Sequence, residues 1–177
     1  MTQIEDSLDW QYLSAAAHAL VPLDEFESWV YASTSLERLL GSQLHLELVD
    51  FDFRDVKAQR DLSIFLRRAL TERGRTSEER DVALWIARGY LAGRVDLATV
   101  ARVLARIRVD SNEWVPSEFT YIDSELDEIP TPAQYDNWNP EALAKKLEES
   151  APRLKAFEEG ARLAAQKMLD ALQSDAG

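Results

Sequence analysis

The sequence has no cysteine, which excludes disulfide bridges, thiolate metal sites and cysteine nucleophiles together. It has only two histidines, His18 and His45, so a zinc site would need carboxylates for most of its ligands. Six glycines in 177 residues leave little material for the tight turns of β-hairpins. These shortages favour a helical protein without disulfides.

Sequence motifs of catalysis are also missing. No Gly-x-Ser-x-Gly, Walker loop or Gly-x-Gly-x-x-Gly occurs, so a nucleophile elbow and a phosphate-cradling loop have no support. The best metal-like group is His45 with Glu47, Asp50 and Asp52. Strand spacing divides these four between two faces and helix spacing brings only some of them together, so we interpret them as the polar side of an amphipathic segment. We expect no enzymatic activity, no catalytic residues, no metal and no cofactor.

Long apolar runs are absent as well. The longest uncharged stretch, from Trp10 to Leu23, has 14 residues, whereas a membrane-spanning helix needs about 20 apolar residues. The N-terminal sequence MTQIEDSLDW carries acids where a signal peptide has a basic start. We therefore expect a cytoplasmic protein that does not interact with membranes.

What the sequence has in excess is acidic charge, arranged in blocks. Residues 1–55 hold 11 Asp/Glu against two Arg, a net of −9, and residues 109–149 hold 11 Asp/Glu against two Lys, again −9. Between them, residues 56–108 hold 12 Lys/Arg against six Asp/Glu, a net of +6. The total of −12 would repel phosphate, so we expect no nucleic-acid partner and predict that the central arginines pair with carboxylates inside the fold.

Helical periodicity dominates the chain, and the 46% apolar content with five tryptophans indicates a folded core. We predict a mainly α, single-domain helical bundle of about seven to eight helices over 1–177. Two helical-hairpin halves, 1–74 and 75–177, are the alternative, because an apolar pattern recurs at an offset of 74. The pattern is Val21, Leu23 and Phe26 against Val95, Leu97 and Val100.

Individual helices follow from this spacing and from capping residues. They are predicted over 7–20, 24–32, 35–40, 55–73, 76–92, 96–109, 139–149 and 150–172. Ser150 and Pro152 either restart or kink the helix between the last two. Thr76 and Glu79 form a capping box, Asp96 caps its helix, and Asn139-Pro140 is a strong helix start. Residues 43–53 fit either a helix or a small β element, and we favour the helix because no second strand is available to pair with it.

The segment 110–138 has a different character, since three prolines interrupt it and it is dense in acids and aromatic residues. We predict a long irregular acidic loop there, with room for a short helical turn from Ser117. Because such loops often carry function, we also predict a partner-binding surface. Aromatic anchors with surrounding carboxylates suit a basic protein partner. The residues predicted to bind are Asp110, Glu113, Trp114, Glu118, Tyr121, Asp123, Glu125, Asp127, Glu128 and Trp138. The alternative is that the aromatic residues pin the loop to the core while the acids only solvate it.

Residues 23–53, LDEFESWVYASTSLERLLGSQLHLELVDFDF, resemble a segment of small bacterial immunity proteins, which are encoded beside polymorphic or contact-dependent toxins and block them by direct binding. The resemblance lies in Glu25-Phe26, in Trp29 with Tyr31, and in the helix that ends at Gly41 before a leucine-rich run. It implies a binding role, a cytoplasmic location and no cofactor.

Our hypothesis from the sequence is an acidic immunity or inhibitor protein, a monomer or homodimer, that blocks a cognate basic protein toxin such as a nuclease. Carboxylates would occupy the positions of phosphates in the toxin cleft, and Trp114, Tyr121 or Trp138 would anchor the contact. The second hypothesis is a helical adaptor or scaffold subunit whose helices from Pro140 onward pack against a partner or a second copy. The third is a metal-dependent hydrolase.

Overall fold

The structure is a computed structural model that describes residues 3–75, 78–109, 113–129 and 140–174. Within these ranges the chain forms nine α-helices and no β-strand, so the prediction of a mainly α fold is confirmed. The helices are α1 Gln3–Ala17, α2 Leu23–Ala32, α3 Leu36–Leu40, α4 Ser42–Val49, α5 Ala58–Glu72, α6 Glu78–Leu91, α7 Leu97–Val109, α8 Glu118–Leu126 and α9 Pro140–Ser174.

Residues 43–53, which fit a strand or a helix by sequence, are helical as far as Val49. Leu44 and Leu48 lie one turn apart on α4 and both are buried, whereas Leu46 points the other way and is 61% exposed. A helix needs only this i, i+4 pair to bury one face, so the alternating leucines do not require a strand. The alternative of a small β element is wrong.

The acidic segment is more regular than predicted, because residues 118–126 form helix α8. Phe119 and Ile122 are buried at i, i+3 spacing, and the buried Val115 and Ile129 flank the helix. These four buried apolar side chains thus anchor the segment, although its many acids obscure the helical periodicity in the sequence. The prediction of a long irregular loop is wrong for 118–126, and residues 110–112 and 130–139 lie outside the described part of the chain.

The chain divides into two compact units, 1–85 and 86–177, with the boundary between Trp85 and Ile86 of α6. In the first unit α1 packs on α5, and α4 contacts both α2 and α3. Its core is a cluster of aliphatic and aromatic side chains that includes Leu13 of α1, Phe26 of α2 and Leu66 of α5. The predictions of one domain, or of halves divided after residue 74, stay predictions.

Aromatic rings fill one end of this core around the fully buried Phe26. The rings of Tyr12, Trp29 and Phe53 lie 6.0, 5.6 and 6.3 Å from it, centroid to centroid. The Tyr12 hydroxyl donates to a Glu25 carboxylate oxygen at 3.1 Å. Burial raises the pKa of Tyr12, and the Glu25 charge raises it further. Tyr12 is therefore a neutral hydrogen-bond donor that ties α1 to α2.

At Gly41, between α3 and α4, the structure leaves no room for a side chain. Its φ of 79° is in the left-handed region, and the Arg73 guanidinium occupies the space that a Cβ would need. Arg73 donates to the Leu40 carbonyl, so this arginine of the basic block binds backbone rather than a carboxylate. Gly74, after α5, has a similar φ of 69° but open space around it.

In the second unit α7 packs on α8, and both contact α9. Val100, Leu104 and Ile107 of α7 are buried at helical spacing. Asp96 caps α7 as predicted, because its Oδ1 accepts the Thr99 backbone N–H at 2.8 Å. Burial acts to raise the pKa of Asp96, but the hydrogen bonds from Thr99 outweigh it and hold that pKa below its ordinary value.

Helix α9 runs unbroken from Pro140 to Ser174, so the break predicted around Ser150 and Pro152 does not occur. Pro152 lies inside the helix and is exposed, which allows water to solvate the carbonyl that lacks its N–H donor. Two of the three predicted N-terminal caps, Thr76 and Asn139, fall outside the described residues. No helix in the described ranges is both long and apolar enough to cross a membrane.

Candidate protein-binding surface

The predicted partner-binding residues fall into three places. Asp110 and Trp138 lie outside the described residues. Glu113 and Trp114 precede α8, with Glu113 exposed and Trp114 half-buried. The remaining six lie on α8 or directly after it: Glu118, Tyr121, Asp123, Glu125, Asp127 and Glu128.

Helix geometry divides these six between two sides of α8. At 3.6 residues per turn, Tyr121 follows Glu118 by about one turn and precedes Glu125 by about another, so all three share a face. Glu128, just after the helix, continues this face. Asp123 and Asp127 project from the other side of the helix. The structure therefore brings together four of the predicted residues.

Arg153 of α9 lies against this face and binds two of its carboxylates. Its Nη2 contacts a carboxylate oxygen of Glu125 and lies 3.4 Å from one of Glu128. The Glu125 side chain is 24% exposed, whereas that of Glu128 is 69% exposed. We call Arg153, Glu125 and Glu128 the Arg153 triad. Within it, the pair of Glu125 and Arg153 is the part more protected from solvent, and Glu128 remains exposed.

Tyr121 makes the aromatic part of the same surface. Its ring meets the buried Phe157 of α9 edge to face, with centroids 5.9 Å apart and planes at 88°. The Arg153 guanidinium also lies 5.5 Å from the centre of the Phe157 ring. Tyr121 nevertheless remains 58% exposed, so it is supported from beneath and still available to a partner.

We call this surface the α8 face. Its members are Glu118, Tyr121, Glu125, Glu128, Arg153 and Phe157. The side chain of Glu118 is exposed and makes no hydrogen bond or ion pair with the described residues. Three carboxylates against one guanidinium leave the face negative, and an exposed ring lies between them. Such a surface can hold a lysine or arginine side chain by charge and by ring contact.

Arg153 and Phe157 were not among the residues predicted from sequence. Their i, i+4 spacing places them on one face of α9, and this is the signal that the sequence offers. The pairing itself joins residues 28 positions apart for Glu125 and 25 for Glu128, so only the tertiary structure reveals it.

The metal-like group is spread over helix α4 and the turn that follows it. Glu47 is bound by Arg68 at 2.5 Å and by the Gln43 side chain at 3.3 Å. The carboxylate of Asp52 accepts the Arg54 backbone N–H at 3.0 Å. In the parts of the chain that the structure describes, no three His, Asp or Glu side chains are placed to hold a metal ion.

The basic block is used in several ways besides the predicted pairing with acidic blocks. Arg68 does bind Glu47 of the first acidic block, but Arg75 binds Asp81 within its own block at 2.7 Å. Arg108 donates to the backbone carbonyls of Glu113 and Val115. Exposed residues Arg102 and Arg106, one turn apart on α7, have no ion pair with the described residues.

Comparisons of the chain with models of known protein families, with curated proteins and with solved structures found no match. The resemblance of residues 23–53 to immunity proteins stays a prediction.

Proposed function

We propose that this protein binds and blocks a basic protein toxin, as an acidic immunity protein does, and that the α8 face is its contact surface. The observation that carries the proposal is the exposed Tyr121 ring, seated edge-on against Phe157 and flanked by the carboxylates of Glu118, Glu125 and Glu128. Protein interfaces favour this combination, since tyrosine is enriched among the few residues that carry most of the binding energy, and charges set the partner and the association rate.

The Arg153 triad makes the surface rigid before a partner arrives. Arg153 holds Glu125 and Glu128 and covers Phe157, on which Tyr121 rests. A side chain already held in one position loses less conformational entropy on binding. The internal ion pairs therefore support binding, even though they remove part of the negative charge.

The division of labour within the face follows from exposure. Glu118 and the outer oxygen of Glu128 are open to solvent and would receive lysine or arginine side chains that a nuclease toxin uses to hold phosphate. Tyr121 would stack against one of these cations or against a neighbouring apolar residue. Occupation of the toxin cleft then blocks its substrate by charge and by bulk. The proposal includes a cytoplasmic location and neither catalysis nor a cofactor.

Co-expression with the product of the adjacent reading frame tests this function. We expect that product to contain a basic domain that stops growth. This chain should bind the basic domain and restore growth. The combined variant Glu118→Gln, Tyr121→Ala, Glu128→Gln should weaken binding by about a hundredfold, the scale of a lost hot spot with its charges.

The matched control is Asp123→Asn with Asp127→Asn, which removes two charges from the other side of α8 and should change the affinity less than about threefold. A toxic neighbour that binds this chain equally well with and without the three α8-face substitutions contradicts the site. A neighbour that is neither basic nor bound by this chain contradicts the function.

A further inference from the structure

A second exposed apolar surface lies in the first unit, where α2 meets the end of α4. Tyr31 is 60% exposed and Leu46 is 61% exposed. The Tyr31 hydroxyl donates to the Val49 carbonyl at 3.3 Å, which places its ring beside the last turn of α4. That turn begins at Leu46 and closes at Asp50, whose N–H bonds to the Leu46 carbonyl at 3.0 Å. Tyr31 of α2 and Leu46 of α4 thus both present exposed apolar side chains near the last turn of α4.

Negative charge surrounds this pair. Asp50 is the C-terminal cap residue of α4, Asp52 follows, and the last turn of α4 has no basic residue. A carboxylate at a helix C-terminus has the same sign as the partial charge of that end, which is an unfavourable position in the free protein. Glu27 lies one turn before Tyr31 on α2. Neither Glu27 nor Asp50 makes a side-chain hydrogen bond or ion pair with the described residues.

The cations of this region are already engaged or lie beyond the turn. Arg68 is held between Glu47 at 2.5 Å and Glu72 at 3.7 Å. Arg54, past Asp52, is exposed and offers its backbone N–H to that carboxylate. The apolar pair therefore has a rim of uncompensated negative charge on the side of Glu27 and Asp50.

We infer that the α4 end, defined as Tyr31, Leu46, Asp50, Asp52 and Glu27, is a second docking surface, and that its occupant is a basic segment of a partner protein that presents an aliphatic side chain between lysines or arginines. The aliphatic side chain of the partner covers Tyr31 and Leu46, and its cations pair with the carboxylates of Asp50 and Glu27. A cation at this position also relieves the unfavourable charge at the end of α4. Nucleic acid and anionic lipid do not fit, because their phosphates meet carboxylates here.

This inference does not require the partner to be a toxin, and it concerns residues outside the α8 face. The test is a titration of the ¹⁵N-labelled full chain with a synthetic 14-residue peptide of lysines and leucines, followed by amide chemical shifts. The expected result is saturable shifts in residues 46–52 and around Tyr31. The same peptide with glutamate in place of every lysine should cause no shifts there.

Substitutions then assign the contact. Tyr31→Ser with Leu46→Ser should weaken peptide binding at the α4 end by about tenfold or more, and Glu27→Gln with Asp50→Asn by about three- to tenfold. The matched control is Ile64→Ser on α5, equally exposed at 61%, which should leave the affinity unchanged. Tyr31→Phe keeps the ring and should bind within about threefold of the unaltered protein.

Three outcomes overturn the inference: shifts confined to α8, shifts spread over all exposed acids, or unchanged affinity in the Glu27→Gln, Asp50→Asn variant. Shifts of the α4 end and of Arg102 that appear on concentrating the protein without peptide would also overturn it, since the occupant would then be a second copy. The combined α8-face variant separates the two proposals, because it should weaken toxin binding at α8 by about a hundredfold and leave the peptide shifts of the α4 end intact.

Discussion

Helices α4 and α8 both end in acidic residues, and they differ in which cations bind those residues. Each has an aspartate at its C-terminal cap, Asp50 or Asp127, a further carboxylate close by, and no basic residue in its last turn. At α8, Arg153 reaches over from α9 and binds Glu125 and Glu128. At α4 no cation among the described residues binds Asp50. The carboxylates of Glu125 and Glu128 are thus ion-paired, whereas Asp50 at the end of α4 stays open even though Arg68 binds Glu47 within that helix.

The difference lies in where each unit places its arginines. In the first unit Arg73 binds the Leu40 carbonyl and supports the turn at Gly41, so it does not reach the carboxylates of α4. In the second unit Arg108 serves backbone carbonyls, and Arg153 remains for the end of α8. Net charge per block therefore does not show which acids are open to a partner. The fold decides that through a few arginine contacts.

The largest expected effect is at Gly41. Gly41→Ala should destabilise the first unit by about 2–3 kcal/mol, because φ 79° with ψ 158° is a backbone conformation nearly restricted to glycine and the added Cβ also displaces the Arg73 guanidinium. Gly74→Ala is the control, at a similar positive φ but with open space around it, and should cost about 1 kcal/mol. Urea unfolding with hydrogen exchange in α1 and α5 measures both. Equal losses for the two variants would contradict the particular constraint assigned to the turn at Gly41.

Removal of Arg153 comes next in size. Arg153→Ala should destabilise α8 and α9 by about 1–2 kcal/mol, since it leaves two carboxylates together and uncovers Phe157. Lys155→Ala, on the same helix and exposed, should change stability by less than about 0.5 kcal/mol. Hydrogen exchange of α8 amides reports the effect. Adding Glu125→Gln and Glu128→Gln to Arg153→Ala should recover part of the loss, and no recovery would contradict the triad.

Asp96 is an acid with a structural role, and it serves as a comparison for the surface acids of α4 and α8. Asp96→Ala should destabilise the second unit by about 1 kcal/mol through loss of the α7 cap. Because the pKa of Asp96 is lowered in the folded protein, its contribution is complete above its ordinary value of 3.8 and disappears as the pH falls through the lower folded value. Stability curves of both proteins should therefore converge in acid. A difference that persists at the lowest pH would contradict the assigned role of the carboxylate.

Much of the fold could be predicted because its signals are local. The glycines at 41, 74 and 93 end helices with positive φ, and Asp96 caps α7, as the sequence indicates. Helix α8 was expected at most as a short turn from Ser117, because Phe119 and Ile122 are few among many acids and nearby prolines. Helix α9 was wrongly divided because Pro152 lies on its exposed side, where a missing hydrogen bond is tolerated.

The candidate surfaces could be predicted only in part. The sequence indicated that the third block combines acids and aromatic residues, and Glu118 and Tyr121 do share a face. It could not indicate that Arg153 occupies Glu125, nor that the Tyr31 hydroxyl reaches α4, because both contacts join separate helices. Pairings between helices depend on packing, which periodicity along one helix does not contain.

The most direct test of this contrast is the free energy of unfolding of two charge-neutralised proteins, Glu125→Gln with Glu128→Gln and Asp50→Asn with Asp52→Asn, measured by hydrogen exchange in their own units. The first pair of substitutions should lower stability by about 1 kcal/mol, because the bond to Arg153 weakens. The second pair should leave stability unchanged or raise it by a few tenths of a kcal/mol, because like charge leaves the end of α4. A loss of about 1 kcal/mol or more in the second protein would mean that the acids of α4 hold the fold together, and would contradict their availability to a partner.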